Sequence, residues 1–563
     1  MKSYKVREEI PKEAREELKE YSDLVANLLY YRGITDKELA DEFFEIDYKK
    51  SLHDPFLLKD IDKAVDRILN AIKENERIAV FADYDADGIP GAVVLTDFFK
   101  KINYENYFVY IPHRNREGFG LNNKAIDKIS EDGATLLITI DCGITDTEQV
   151  DHANELGINV IITDHHEENG HKPNAYAVVN PKQKTCKYPY KMLCGSGVVF
   201  KLVQALVQKT DHDIQEGWEK NLLDMVGIAT MSDMVPLQGE NRALANFGLT
   251  ILKMSPRKGL HKLFAKTRTN QKELTEDDIG FTISPRINAA SRMGEPETAF
   301  RMLSSNDEIE AAELVKHLHE INDSRKGHVA AMVKEINKHL EQDGVNFKVL
   351  VYGNPKWQPS LLGLAASKFV EELGKPVFLW GRGEGTEIKG SCRSISGVSV
   401  VDLMNGVGES VFETFGGHKE AGGFVLKKES VDFLNDELNK SFENVLNNSR
   451  QEPVWIDKTL SVDDINETLF SEVQKLSPFG VANPKPIFLV KNSLVDKAVE
   501  FGKTSEHFKI TLKGNNKKIE AISFFASSNL KNIKEGDALS VIGHIERDFF
   551  NGRKLRLKII DVI

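Results

Sequence analysis

The chain has 563 residues, 41% of them hydrophobic, with a formal net charge of −12. That length is too great for one domain, and three or four are expected. The acidic balance argues against a general nucleic-acid coat protein but leaves room for an enzyme with a local basic groove, and no apolar run reaches the roughly 18 residues that a membrane span needs.

The N-terminal stretch MKSYKVREEIPKEAREELKEYSD is charged and lacks an apolar core. A secretory signal is therefore not expected, and the expected compartment is the cytoplasm. Residues 1–75 read as an N-terminal helical segment, with VANLLYYRGI at 25–34 closed by a glycine cap. From 76 to 306 strand-like runs alternate with helical ones: IAVFA, then 88–101; later 122–133, LLITI, 147–157 and VIIT. Strand, helix, strand in repetition predicts a parallel sheet. Helical stretches follow at 195–209 and 222–232.

Residues 307–345 are long, charged and periodic, with Ala311, Leu314, Val315, Leu318 and Ile321 at helical spacing, which predicts a helix connecting two bodies. A second, smaller α/β domain is expected over 346–450, with FKVLVYG, LLGLAASKFVEELG and PVFLW as strand, helix and strand. Over 453–563 five short strands, KPIFLV, HFKITLK, KIEAISFF, ALSVIGHI and KLRLKIIDV, predict a small β-barrel of the oligonucleotide-binding (OB) kind. The fold class is thus α/β, with a terminal barrel.

Acids and histidines stand where the strands of the first α/β domain end. DYDADG (83–88) follows IAVFA, Asp141 follows LLITI, and Asp164-His165-His166 follows VIIT. Open α/β sheets place their sites at the carboxyl ends of strands. An acidic turn alone is commonly a solvated loop, and Asp141 alone would read as a helix N-cap. Two adjacent imidazoles at a strand end are costly as packing. Asp233 interrupts the apolar run ATMSDMVPL, and a buried carboxylate needs a partner that a metal would supply. Together these clusters predict a site for one or two divalent metals and a metal-dependent hydrolase. The four cysteines, 142, 186, 194 and 392, form no C-x-x-C pair, so a zinc ribbon or disulfide framework is not expected.

These motifs in this order resemble the DHH phosphoesterase superfamily. YYRGI (30–34), DPFLLKD (54–60), HRNREGFGLN (113–122) and SPRINAASRMG (284–294) resemble its RecJ branch; GSCRS (390–394) and GGHKEAGG (416–423) resemble the DHH-associated domain, DHHA1. The resemblance covers nearly the whole chain. It implies a DHH domain and a DHHA1 domain joined by the long helix, an OB barrel, and single-strand-specific 5′→3′ DNA exonuclease activity by two-metal-ion catalysis in repair and recombination.

By the same resemblance Asp85, Asp87, Asp141, His165 and Asp233 would be metal ligands, with Asp83 and His166 as catalytic neighbours. Mn²⁺ is expected, Mg²⁺ being the alternative; mixed imidazole and carboxylate ligands also favour Mn²⁺. Arg286, Asn288 and Arg292, with Ser391, Arg393 and His418 from the second domain, would hold phosphate oxygens, as the arginine fork suits. Arg114 and Arg116 would join them, and Phe119 would stack on a base or wedge the strand. A cleft between the two domains would admit one strand and exclude duplex. The expected protein is a monomer that binds single-stranded DNA, with a single-strand-binding protein and a helicase as candidate partners.

The sequence departs from the family pattern at Ser291, where Gly is usual, at Gln358, where His is usual, and at Gly422, where Ala is common. Two other readings stand beside the main one. The first is a DHH phosphodiesterase of short oligonucleotides or cyclic dinucleotides, whose members usually lack the barrel and the RGI segment. The second is a replication scaffold, a class that has lost ligands intact here.

Overall fold

The computed structural model describes residues 3–168, 170–344, 347–383, 386–407, 411–446, 453–502, 505–526, 528–548 and 552–563. The domain boundaries expected at 345/346 and at 450 lie outside the described residues. The chain forms two compact units, one of residues 1–47 with 451–563 and one of residues 48–450. The 1–75 segment is thus divided between them, 48–75 joining the larger unit.

The larger unit is built around a five-stranded parallel sheet in the order Tyr107–Tyr110, Ile78–Ala82, Leu136–Ile140, Asn159–Thr163, Ala177–Val179. The two edge strands add to the three read from the sequence; the first is half-buried and the last is only three residues long. Ile78–Ala82 and Leu136–Ile140 are buried along their whole length, as strands covered on both faces must be. Gly88–Lys101 and Gly195–Lys209 pack together against one face of the sheet, and Asn123–Glu131 with Thr147–Glu155 lie on the other. DYDADG, Asp141 and Asp164-His165-His166 fall on the loops that leave the carboxyl ends of the strands, whereas Asp233 comes from the end of a helix.

One helix, Glu308–Asp343, runs for 36 residues, started by Asp307, whose carboxylate accepts from Ile309 N and Glu310 N. It packs first on the helices Lys258–Thr267, Ser284–Arg292 and Pro296–Ser304, and later on Pro359–Leu373. The sheet beyond it has the order Phe412–Gly417, Ala421–Leu426, Ile388–Arg393, Val377–Gly381, Leu350–Gly353. Only the last two pair in parallel. The strand–helix–strand start was legible, and the three antiparallel strands after it carry the GSCRS and GGHKEAGG residues.

In the smaller unit, five strands close a barrel: Phe488–Phe501, His507–Lys513, Lys518–Ser523, Lys554–Val562 and Ala538–Asp548, the last returning to the first. The first runs well past the KPIFLV motif. Tyr4–Val6 pairs in parallel with Val454–Ile456, so the N-terminal segment is stitched to the strand that opens the C-terminal region. Arg32 of the YYRGI motif completes this union. Its guanidinium donates to Asn483 Oδ1 (2.7 Å), Leu28 O (2.7 Å) and Pro484 O (2.5 Å). Among the described residues, no helix is long and apolar enough to cross a membrane.

Candidate active site

The DYDADG loop turns sharply at the end of Ile78–Ala82. Asp85 Oδ1 accepts from Asp87 N (2.7 Å) and Gly88 N (3.1 Å), folding the loop on itself. A side chain at Gly88 would meet Asp83 O at 2.3 Å, so the turn requires glycine there. Asp87 does a second task. Its carboxylate accepts from Gly195 N (2.6 Å) and Ser196 N (2.7 Å), the first amides of the helix Gly195–Lys209. A carboxylate fits that end of a helix because its amides are unpaired and its dipole is positive there.

Asp141 leaves its strand with φ +62°, a left-handed conformation that costs a non-glycine residue energy and recurs at functional sites. The isolated N-cap reading of this residue does not hold; it faces the site. Asp164 is wholly engaged: Oδ1 accepts from His165 N (2.7 Å), His166 N (3.0 Å) and His166 Nδ1 (2.7 Å), and Oδ2 from Ile144 N (3.0 Å). Asp164 thus orients His166, a task that its place beside two histidines did not disclose. Asp233 ends the helix Leu223–Ser232.

These side chains converge. His165 Nε2 lies 3.2 Å from Asp141 Oδ1, 3.6 Å from Asp233 Oδ2 and 3.9 Å from Asp87 Oδ2. Three overlapping ligand groups result, each with its atoms within 4.8 Å of one another: Asp83, Asp85 and Asp141; Asp87, His165 and Asp233; Asp141, His165 and His166. Asp141 and His165 are each shared by two groups.

Burial pushes Asp83 and Asp141 well above the usual carboxylate range, with the Asp85 charge adding to the first and Asp87 to the second. Burial and Asp87 also raise Asp85, and push Asp233 up to about 9. Burial lowers His165. Burial works against a charged His166 as well, but the hydrogen bond and charge of Asp164 outweigh it and raise that ring.

So many carboxylates repelling one another in a buried place need a cation. Asp83 Oδ1, Asp141 Oδ1 and His165 Nε2 are buried with no hydrogen-bond partner. Orphaned oxygen and imidazole atoms fit divalent metal, Mn²⁺ or Mg²⁺ by donor type.

Cations border the acids. Arg114 stacks over the ring of Tyr84, 4.9 Å from its centroid. Arg292 donates to Ser360 O, and Ser360 Oγ donates back to Arg292 O (2.9 Å), tying the DHH side of the unit to the helix Pro359–Leu373. Burial, with Arg114, Arg325 and Arg393 nearby, lowers Arg292 to about 9. Arg325, on the long helix, was not singled out from the sequence; nothing in its charged surroundings there marks it. Arg393 Nη1 donates to Ser391 Oγ (3.1 Å) and Cys392 O (2.8 Å). Gly363 makes room for it, since a Cβ there would stand 2.7 Å from Arg393 Nη2.

Other expected phosphate residues are placed differently. Asn288 Oδ1 accepts from Ala86 N (3.0 Å), so this side chain braces the DYDADG loop. Arg286 is largely buried and donates to Thr282 O (2.7 Å). Arg116 and His418 are exposed. Phe119 is exposed and sets its edge against His166, centroids 5.6 Å apart. Of the departures, Ser291 is buried and donates to Asn288 O (3.2 Å). Gln358 precedes the helix Pro359–Leu373 with Oε1 buried and unpaired. A Cβ at Gly422 would meet Gly416 O at 2.9 Å.

Comparison with known proteins gives the family. Models of the DHH family N-terminal domain, the DHHA1 domain and the RecJ OB domain match residues 77–230, 346–444 and 456–561. The single-stranded-DNA-specific exonuclease RecJ of Bacillus subtilis (strain 168) is 35% identical over 98% of this chain and 70% of its own. This chain belongs to the RecJ family. The crystal structure of RecJ in complex with Mn²⁺ from Thermus thermophilus matches at a TM-score of 0.81 and 26% identity, over 100% of this chain and 79% of that one. The Mg²⁺ complex of RecJ from the same organism matches at 0.74 and 26%, over 100% and 78%. RecJ relatives are therefore known with either ion.

Proposed function

We propose that this chain is a metal-dependent, single-strand-specific DNA exonuclease that works 5′→3′ in repair and recombination. The observation that carries the reading is the set of overlapping ligand groups around Asp141 and His165, with buried atoms left unpaired. Divalent ions, two by this reading and Mn²⁺ before Mg²⁺, would be held by Asp85, Asp87, Asp141, His165 and Asp233 beside Asp83, and would supply Lewis-acid activation of water and charge stabilisation at phosphorus.

The chain's own groups do the rest. Asp164 accepts the Nδ1 proton of His166, which turns Nε2 toward the site as a donor to a phosphate oxygen. Arg114, Arg292 and Arg393 offer forked donors to phosphates on either side of the reacting bond. Ser391 holds Arg393 in place, and Asn288 holds the acidic loop. Phe119 offers an exposed face on which a base stacks. The reading includes a monomer placed in the cytoplasm, supplied with single strands by a helicase and a single-strand-binding protein.

Digestion of end-labelled single strands in Mn²⁺, with one or the other end blocked, tests it. Release of 5′ mononucleotides, stopped by a blocked 5′ end and not by a blocked 3′ end, is the expected result. Digestion from a blocked 5′ end overturns the polarity, and no metal-dependent hydrolysis of either strand overturns the activity.

A further inference from the structure

The acids and imidazoles of the candidate active site are not held equally. Asp85 is fixed by the amides of its own loop, Asp87 by the amides of Gly195 and Ser196, and His165 by its amide on Asp164. Among the described residues no hydrogen bond reaches the Asp233 carboxylate, which faces His165 Nε2 at 3.6 Å. Asp233 also stands at the unfavourable end of its helix. It follows Leu223–Ser232, where unpaired carbonyls and the negative end of the dipole repel a carboxylate. Asp87 has the opposite placement, on the amides that open a helix.

The residues on either side of Asp233 supply the hold. After it, Met234 turns the chain in a left-handed conformation (φ +58°), and Val235 is buried with Cys194 and Ala229. Before it, Ser232 Oγ meets Ser284 Oγ at 2.5 Å. Ser284 Oγ donates its own proton to Ile279 O (2.9 Å), so it accepts from Ser232. The Ser284 amide reaches Ile279 O as well, across the π-helical turn Ile279–Ile283. Such turns recur at functional sites.

Ser284 opens the helix Ser284–Arg292, and that helix also holds the other side of the ligand set. Asn288 Oδ1 accepts from Ala86 N (3.0 Å), between Asp85 and Asp87. Residues at i and i+4 share one face of a helix. A single face thus grips the DYDADG loop through Asn288 and the neighbour of Asp233 through Ser284.

We infer that Ser232 and Ser284 are positioning residues for the reaction: their hydroxyl pair sets the place of Asp233 relative to Asp87 and His165, with which it forms one ligand group. This deepens the proposed function and rests on its metal-ligand reading. A neutral bridge suits the task. A cation there would compete with the metal for the carboxylate, and another acid would add repulsion to a crowded site.

The test titrates Mn²⁺ by calorimetry into metal-free, full-length protein. Ser232→Ala and Ser284→Ala should each weaken Mn²⁺ binding about 10-fold, the lower end of what lost outer-shell support costs a metal site. Ser232→Ala/Ser284→Ala should lose no more than either alone, because the same bond is lost each time. Ser232→Thr keeps the hydroxyl and should bind as the parent does. In an Asp233→Ala background, Ser284→Ala should lower Mn²⁺ affinity no further, since the residue it positions is gone. Unchanged affinity in both single variants overturns the positioning role. A further loss in the Asp233→Ala background assigns the serines to the fold at large and overturns it too. Additive losses show two hydroxyls acting separately and overturn the pair. A parent that binds no Mn²⁺ refutes the metal reading itself, a result distinct from a parent that binds and serine variants that match it.

Discussion

Asp141 stands at the centre of the acid cluster: it is buried, in a left-handed backbone, and shared by two ligand groups. Asp141→Ala should abolish cleavage while far-UV circular dichroism stays native; near-normal turnover would remove it from the ligand set. The acid cluster also sets a pH dependence. Folded-state values raised above the unfolded ones mean that the native state binds more protons, so stability falls as pH rises. With Asp233 at about 9, the metal-free protein should lose Tm steadily from about pH 5 to pH 9 in chelator, and Mn²⁺ should cancel most of that slope. A flat profile in chelator would show that the carboxylates are not strained without metal. Gly363 carries a different test. Gly363→Ala should push Arg393 from its slot and weaken strand binding by about 1–3 kcal/mol, the cost of losing a charged hydrogen bond. Mn²⁺ affinity, read by calorimetry, should stay unchanged; a parallel fall would place Arg393 in the metal site.

Among the elements, the helix Gly195–Lys209 depends on the acidic loop as much as the loop depends on it. Asp87 accepts from its first two amides, so this carboxylate is an N-terminal anchor as well as a ligand. Asp87→Ala should therefore be less stable in chelator than Asp233→Ala, because the lost cap, usually worth about 0.5–2 kcal/mol, offsets the repulsion that its removal relieves. Asp233→Ala removes a carboxylate with no such duty and relieves repulsion, so in chelator it should not destabilise. Urea unfolding of the two variants without metal makes the comparison, and equal losses would refute the double role. Gly195 shows the same coupling from the helix side, since a Cβ there would sit 2.5 Å from Asp141 Oδ1.

At the scale of the molecule, the ends of the chain share one unit. Residues 3–47 contribute Leu24, Val25, Leu28 and Leu29 to a core with Leu476, Phe479 and Phe488, and Arg32 closes it. Removing 453–563 alone should leave the N-terminal helices without partners and yield aggregation-prone protein. Removing 1–47 as well should restore solubility, which analytical size exclusion reads directly. Substrate choice is the other property at this scale. Opening duplex costs about 1.4 kcal/mol per base-pair step, and no G-x-x-x-x-G-K-[ST] motor motif is present in the chain to supply it. The protein alone should degrade a single-stranded 5′ tail, slow at the junction and leave blunt duplex almost intact. Comparable initial rates on blunt duplex and single strand would contradict this.

Local patterning determined much of this protein. Apolar runs of strand length, each ending in an acid and separated by helical runs, specified the parallel sheet and placed DYDADG, Asp141 and DHH at its carboxyl edge, because a helix between two neighbouring strands returns the chain to the same end of the sheet. The barrel was legible for the same reason. What the tertiary structure decided are contacts between residues far apart in the chain. Only packing paired Tyr4–Val6 with Val454–Ile456, and put Arg32 on Asn483 and Pro484. Only packing turned Asn288 onto Ala86 and brought Arg325 beside Arg292. A side chain's role there depends on which neighbour reaches it first, and a residue's type and its sequence neighbours do not carry that information.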